Sequence, residues 1–285
     1  MTLRRGFALG LVLACLAACS TKRPIIPPEK LWGDADQAFQ DEAYERAVER
    51  YKMFLEQHPF DSKAEEAELR IAQAQYFSGR YAEAIASFGD FERMHPTSDK
   101  LAEVEYHLGL AYLKQASTID RDQQHISNAL TYFRNLTDRF PTSQWSERAK
   151  LRVKECREKL AGREAYVADY YLRHGNLRAA EARLHSLLTE YPETDATAQS
   201  LHAFAQAYAK RDESDGATLA LATLVRHHPD GPLADDARQQ LGQDPTRGED
   251  PLPRLLARLE AMHDQGERQK TPKTVSAYPD SPAGF

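Results

Sequence analysis

Three cysteines, ten histidines and a set of paired carboxylates are the side chains of this sequence with chemistry to offer. Three histidines, His58, His95 and His228, stand directly before a proline, so a shared structural position accounts for them. His227-His228 lacks the spaced partners that a zinc site needs. Glu65-Glu66 opens a helical stretch, where acidic side chains favour the positive end of the helix dipole. No Gly-x-Ser-x-Gly, phosphate-cradling glycine loop or His-Glu-x-x-His occurs. The expectation is a protein with no catalytic residue and no metal, and not an enzyme. The net charge of −6 gives no basic stripe for nucleic acid.

The cysteines divide differently. Met1-Thr2-Leu3-Arg4-Arg5 is a basic start, Gly6 to Ala14 a short apolar run, and Leu16-Ala17-Ala18 a small-residue cut site before Cys19. That order describes an export signal too short to span a bilayer. Leu-Ala-Ala-Cys resembles the bacterial lipobox, which implies that residues 1–18 leave as a signal peptide and that Cys19 is lipidated. The covalent lipid is the only non-protein group expected. Ser20, where Asp would resemble an inner-membrane retention signal, implies the periplasmic face of the outer membrane. Residues 19–29, with Pro24, Pro27 and Pro28, form a short tether. Cys15 departs with the signal, which leaves Cys156 as a lone thiol suited to a helix core.

These features need elements to hold them, and the elements repeat. A histidine or aromatic residue followed by proline recurs at Pro59, Pro96, Pro141, Pro192 and Pro229. Twelve residues earlier stand Ala47, Ala84, Ala129, Ala180 and Ala217; eight earlier, Tyr51, Phe88, Phe133, Leu184 and Leu221; five earlier, Phe54, Phe91, Leu136, Leu187 and Leu224. Small residues let two helices approach and large ones fill the groove between them. Glu65 to Pro96 shows the unit plainly: two amphipathic segments broken at Ser78-Gly79-Arg80, neither able to bury its stripe alone. Spacings of 37, 45, 51 and 37 between the prolines make the middle irregular. An excursion at Gln115–His125 precedes one second helix, and Ser143 with Ser146-Glu147 caps a helix through Leu160 that continues into Ala161–His174. Leu233–Leu241 reads as a capping helix and Pro253–His263 as one more. The repeats occupy 30–242, and 243–285 reads as a largely disordered, low-complexity tail.

The pattern resembles the tetratricopeptide repeat of about 34 residues, clearest in Tyr106-His107-Leu108-Gly109-Leu110-Ala111-Tyr112. It implies an all-α, right-handed solenoid of about five helix pairs. Asp120 to His125, Ala129 to Phe133, Pro141 to Gln144, Val167 to Tyr171 and Tyr191 to Thr194 add a resemblance to the BamD family of β-barrel assembly lipoproteins. The family implies an adaptor that docks the periplasmic domains of a BamA-type barrel subunit and receives unfolded outer-membrane proteins, alongside other assembly lipoproteins. On this sequence Arg183 falls where the family presents a basic residue to its partner, and Phe60, Tyr76 and Tyr112 are the candidates for client contact. The alternative is another periplasmic tetratricopeptide lipoprotein scaffold, serving envelope constriction or peptidoglycan synthesis. The stretch after Pro59 is poorer in aromatics than the family's, and the tail after Gly242 is longer.

Overall fold

The computed structural model describes residues 24–116, 123–242 and 248–270, with 263–270 as backbone alone. The signal segment, Cys19, Asp120 to Asp122 of the excursion and residues 243–247 and 271–285 of the expected tail lie outside the described residues. Two compact units are present, one ending at Val104 and the other starting at Glu105.

The described chain is all-α, and its helices come in successive pairs. The first unit holds α1 (Pro28–Gln40), α2 (Tyr44–Gln57), α3 (Ala64–Phe77) and α4 (Tyr81–Met94). The unit boundary falls within α5 (Leu101–Gln115). The second unit continues with α6 (Gln124–Arg139), α7 (Gln144–Arg173), α8 (Leu177–Glu190), α9 (Asp195–Ala209), α10 (Ser214–His227), α11 (Pro232–Leu241) and α12 (Leu252–Lys270).

The prolines act as the sequence leads one to expect. Each of His58, His95, Phe140, Tyr191 and His228 leaves helical angles, with φ of −135°, −123°, −128°, −133° and −131°. The ring of the following proline excludes the helical conformation from the residue before it. Each of these residues still donates its amide to the carbonyl four residues back, which closes the helix cleanly. The large residues eight and five before the prolines are buried in every repeat. So are the alanines at twelve, apart from Ala217, which is only half-buried. In that repeat Gly216 and Ala220 are buried instead, and a Cβ on Gly216 would stand 3.1 Å from Tyr208 and equally from Arg258 of α12. Gly109 meets the strictest demand: a Cβ there would stand 2.5 Å from the Phe133 ring.

The two irregular spacings have separate causes. α7 runs unbroken for 30 residues and so joins the expected extra helix to the first helix of the fourth repeat. Ser143 caps it by accepting the Trp145 amide at 3.2 Å. The Ser146 hydroxyl instead donates back to the carbonyls of Phe140 and Leu136 at the end of α6. The other long spacing comes from the segment between α5 and α6.

The core of the second unit extends beyond the expected boundary at Gly242. α12 sets Leu255 and Leu259 into the same cluster as Leu184, Leu221 and Leu224. Arg258 lies over Tyr208, 5.2 Å from its ring centre, and pairs with Glu213. The Tyr208 hydroxyl in turn donates to the buried Glu181 at 2.8 Å. Burial raises the Glu181 carboxyl above the usual range, with Tyr208 and Arg258 opposing that rise. The sequence reading missed this anchorage because the stretch around it is rich in Pro, Gly and Asp.

Candidate partner and client surfaces

Aromatic side chains collect where the helix pairs of the first unit turn. Phe39 and Tyr44 stand twenty and fifteen residues before Pro59, and Tyr76 and Tyr81 take the same two places before Pro96. Each pair flanks its turn and meets edge to face with ring centres 5.6 Å apart. Phe77 joins the pairs: it stacks on Tyr44 at 5.6 Å and meets the edges of Phe39 and Tyr76. Half of its surface remains open to solvent. The Arg70 guanidinium lies 5.1 Å from the Phe39 ring centre, and a shallow hollow of about 480 Å³ beside Tyr44 is edged by Glu42, Arg46 and Ser78. Such an edge offers flat apolar faces with charged borders, a surface for apolar side chains of an extended chain. Sequence reasoning singled out Tyr76 alone, although the shared offsets from the prolines would have found its companions.

Two of the three expected client residues, Phe60 and Tyr76, stand apart within the first unit, and the third, Tyr112, belongs to the second. Phe60 is fully exposed, in the turn closed by the Asp61 amide on the His58 carbonyl. Tyr76 lies at the other end of α3, whose 14 residues span about 20 Å. Tyr112 belongs to the second unit, where it is half-buried and stacks on Tyr132 with ring centres 5.6 Å apart.

In the second unit α7 and α9 enclose a groove of about 450 Å³ lined by Gly162, Ala165, Tyr166, Gln199 and Ala203. Glu158 sits at its edge and accepts the amides of Asp195 and Ala196, at 3.0 and 2.9 Å. One repeat thereby caps a helix of the next, supplying acceptors for amides that lack helical partners. The same junction explains Tyr191 to Thr194. Arg157 lies over the Tyr191 ring and pairs with Glu193, and Thr194 caps α9. Beside Arg157 the Glu193 carboxyl is held below its usual range.

Arg183, the expected partner contact, is on α8 and partly exposed. Its Nη1 donates to Glu164 Oε2 of α7 at 3.0 Å, so the side chain is already aimed and neutralised within the fold. A partner carboxylate must share this cation or displace Glu164.

Cys156 is fully buried in α7, where burial, with Glu155 beside it, pushes the thiol up to about 12. Among the described residues no cluster of His, Cys, Asp or Glu is placed to hold a metal, and no helix is long and apolar enough to cross a membrane.

Comparison with known proteins matches residues 25–220 to the YfiO family, described as outer membrane lipoprotein. The outer membrane protein assembly factor BamD of Vibrio cholerae is 30% identical over 211 residues, covering 70% of this chain and 88% of that protein. BamD of Neisseria gonorrhoeae is 28% identical over 221 residues, covering 74% and 83%. BamD of Caulobacter vibrioides is 26% identical over 205 residues, covering 70% and 67%. The family match ends inside α10, so α11 and α12 lie beyond it. Through both of its units, the chain belongs to the YfiO family of outer membrane lipoproteins and is similar to BamD assembly factors.

Proposed function

We propose that this protein is a non-enzymatic adaptor of outer-membrane β-barrel assembly, held to the periplasmic face of the outer membrane by lipid on Cys19. One observation carries the reading: similarity to BamD assembly factors that runs through both units and nearly all of the repeats. The second unit docks a BamA-type subunit through a surface that includes Arg183. A guanidinium suits that task because it can hold a carboxylate with two parallel hydrogen bonds. Unfolded barrel clients meet the aromatic edge around Tyr76 in the first unit and Tyr112 in the second. Phe60, the third candidate for client contact, stands at the opposite end of α3 from Tyr76.

The test is a pull-down of tagged full-length protein from detergent-solubilised outer membranes, read by mass spectrometry. A large barrel with periplasmic repeats is expected in stoichiometric amount. Arg183→Glu should cut its recovery about tenfold, the loss typical of a central interface charge, with helicity unchanged. Glu164→Ala, which frees the guanidinium, should keep or raise recovery. Undiminished recovery with Arg183→Glu would remove that contact from the interface. Recovery of cell-wall synthases or constriction proteins without the barrel would replace the assembly reading altogether.

A further inference from the structure

Phe60 and Ile25 are the two most exposed large hydrophobic side chains among the described residues, at 100% and 79%. They flank the same histidine. His58 donates from Nε2 to the Ile26 carbonyl at 2.7 Å, and the Ile26 amide donates to Gln57 Oε1 at 2.8 Å. The incoming chain is therefore pinned to the end of α2, with Ile25 directed to solvent beside the pin. Phe60 is the third residue of the turn from His58 to Asp61, which presents it at the tip.

The surroundings of this pair are those of a membrane border. Trp32, in the first turns of α1, is half-buried with its edge toward Tyr51 and Phe54, and the Lys63 ammonium lies 4.6 Å from its ring centre. Lys30 is exposed on the same end of α1. Tryptophan and lysine favour the headgroup level, where one part of the side chain is wet and the other is not. Glu29 and Asp61 share this end, so its charge is mixed and does not select an anionic surface.

Chain length points the same way. Ile26 follows Cys19 by seven residues, which can span at most about 25 Å. An acyl-bearing Cys19 cannot let this end drift far from the bilayer.

We propose that the Pro59 end of the first unit rests on the lipid surface, with Phe60 and Ile25 entering the boundary between headgroups and acyl chains. The partner is the bilayer interface itself. The inference depends on Cys19 carrying lipid, and it gives Phe60 a role other than client contact. Apolar insertion next to a lipid anchor adds a second attachment and fixes orientation, which a single anchor alone does not.

The experiment uses full-length lipidated protein reconstituted into phosphatidylethanolamine–phosphatidylglycerol vesicles, with and without lipids brominated near the headgroup. Phe60→Trp places an indole at the tip, Phe77→Trp places one at the far end of α3, and the signal of the unsubstituted protein is subtracted. Because Phe60 is fully exposed, its replacement leaves the fold intact. Flotation with the vesicles, at least twofold quenching for Phe60→Trp and none for Phe77→Trp, is the expected result. Flotation without quenching for Phe60→Trp overturns the proposal while leaving the anchor in place. Equal quenching of the two variants also overturns it, since no defined end then faces lipid. Failure to float refutes the anchor, and the proposal with it.

Discussion

Glu42, Gly79, Gly175 and Asp212 all stand seventeen residues before a closing proline, and all four take the left-handed backbone, with φ of 58°, 79°, 75° and 61°. The turn between the paired helices demands that conformation whichever residue is present. Glycine adopts it without a Cβ clash, whereas other residues bear roughly 1–2 kcal/mol. Gly79→Ala should therefore lower the denaturation free energy of the first unit by about 1 kcal/mol, and Glu42→Gly should leave it unchanged or raise it by several tenths. Chemical denaturation of the two variants checks the contrast. Gly109 answers to a different constraint, the Phe133 ring. Gly109→Ala should cost about 1–3 kcal/mol through overpacking, and Gly109→Ala combined with Phe133→Leu should recover part of that loss. The aligned offsets from the prolines exposed the large core positions at once. The left-handed turn residue was hidden, because in two of four copies it is an acid, not glycine.

At the level of elements, length and position divide between local sequence and packing. The helix ends at the prolines and the cap at Ser143 are local effects, legible in the residues themselves. The union of two expected segments into the 30-residue α7 is also local, since nothing between Leu160 and Ala161 interrupts it. α12 is another matter. Its leucines are meaningful only because α8 and α10 present Leu184 and Leu224 to the same cluster. Leu255 is fully buried, so Leu255→Ala should destabilise the second unit by about 2–4 kcal/mol. A thermal melt unmoved by this change would mean that α12 is not part of the cooperative unit.

In the second unit acidification acts through opposing groups: the raised Glu181 carboxyl favours the fold as it takes up its proton, while His228 and Glu193 cost stability. Burial, reinforced by the neighbouring His227, holds His228 below its usual value of 6.5. The folded state therefore binds fewer protons here than the unfolded chain, and stability is lost as pH drops below about 6.5 toward the folded value. Glu193, lowered by Arg157 from 4.5, adds a later loss as pH falls through the carboxylate range. Phe140 occupies the place of His228 in the third repeat. His228→Phe should flatten the urea midpoint between pH 7 and pH 5.5 without shifting the carboxylate limb. A profile as steep as the parent's would assign the early loss to other groups.

The sequence by itself determined the repeat: which residues point inward, where each second helix stops, and that the units are helical pairs that need neighbours. Those are consequences of helical periodicity, proline's missing amide and its ring, all of which act within a few residues. The tertiary structure alone decided which aromatic side chains meet. Tyr76 acquires Phe39, Tyr44, Phe77 and Tyr81 as company because successive turns stack, while Phe60, close to Tyr76 in chain order, is kept about a helix length away. It also decided that Arg183 is paired with Glu164, because ion pairs between helices depend on how the helices cross, and no spacing along one helix encodes that.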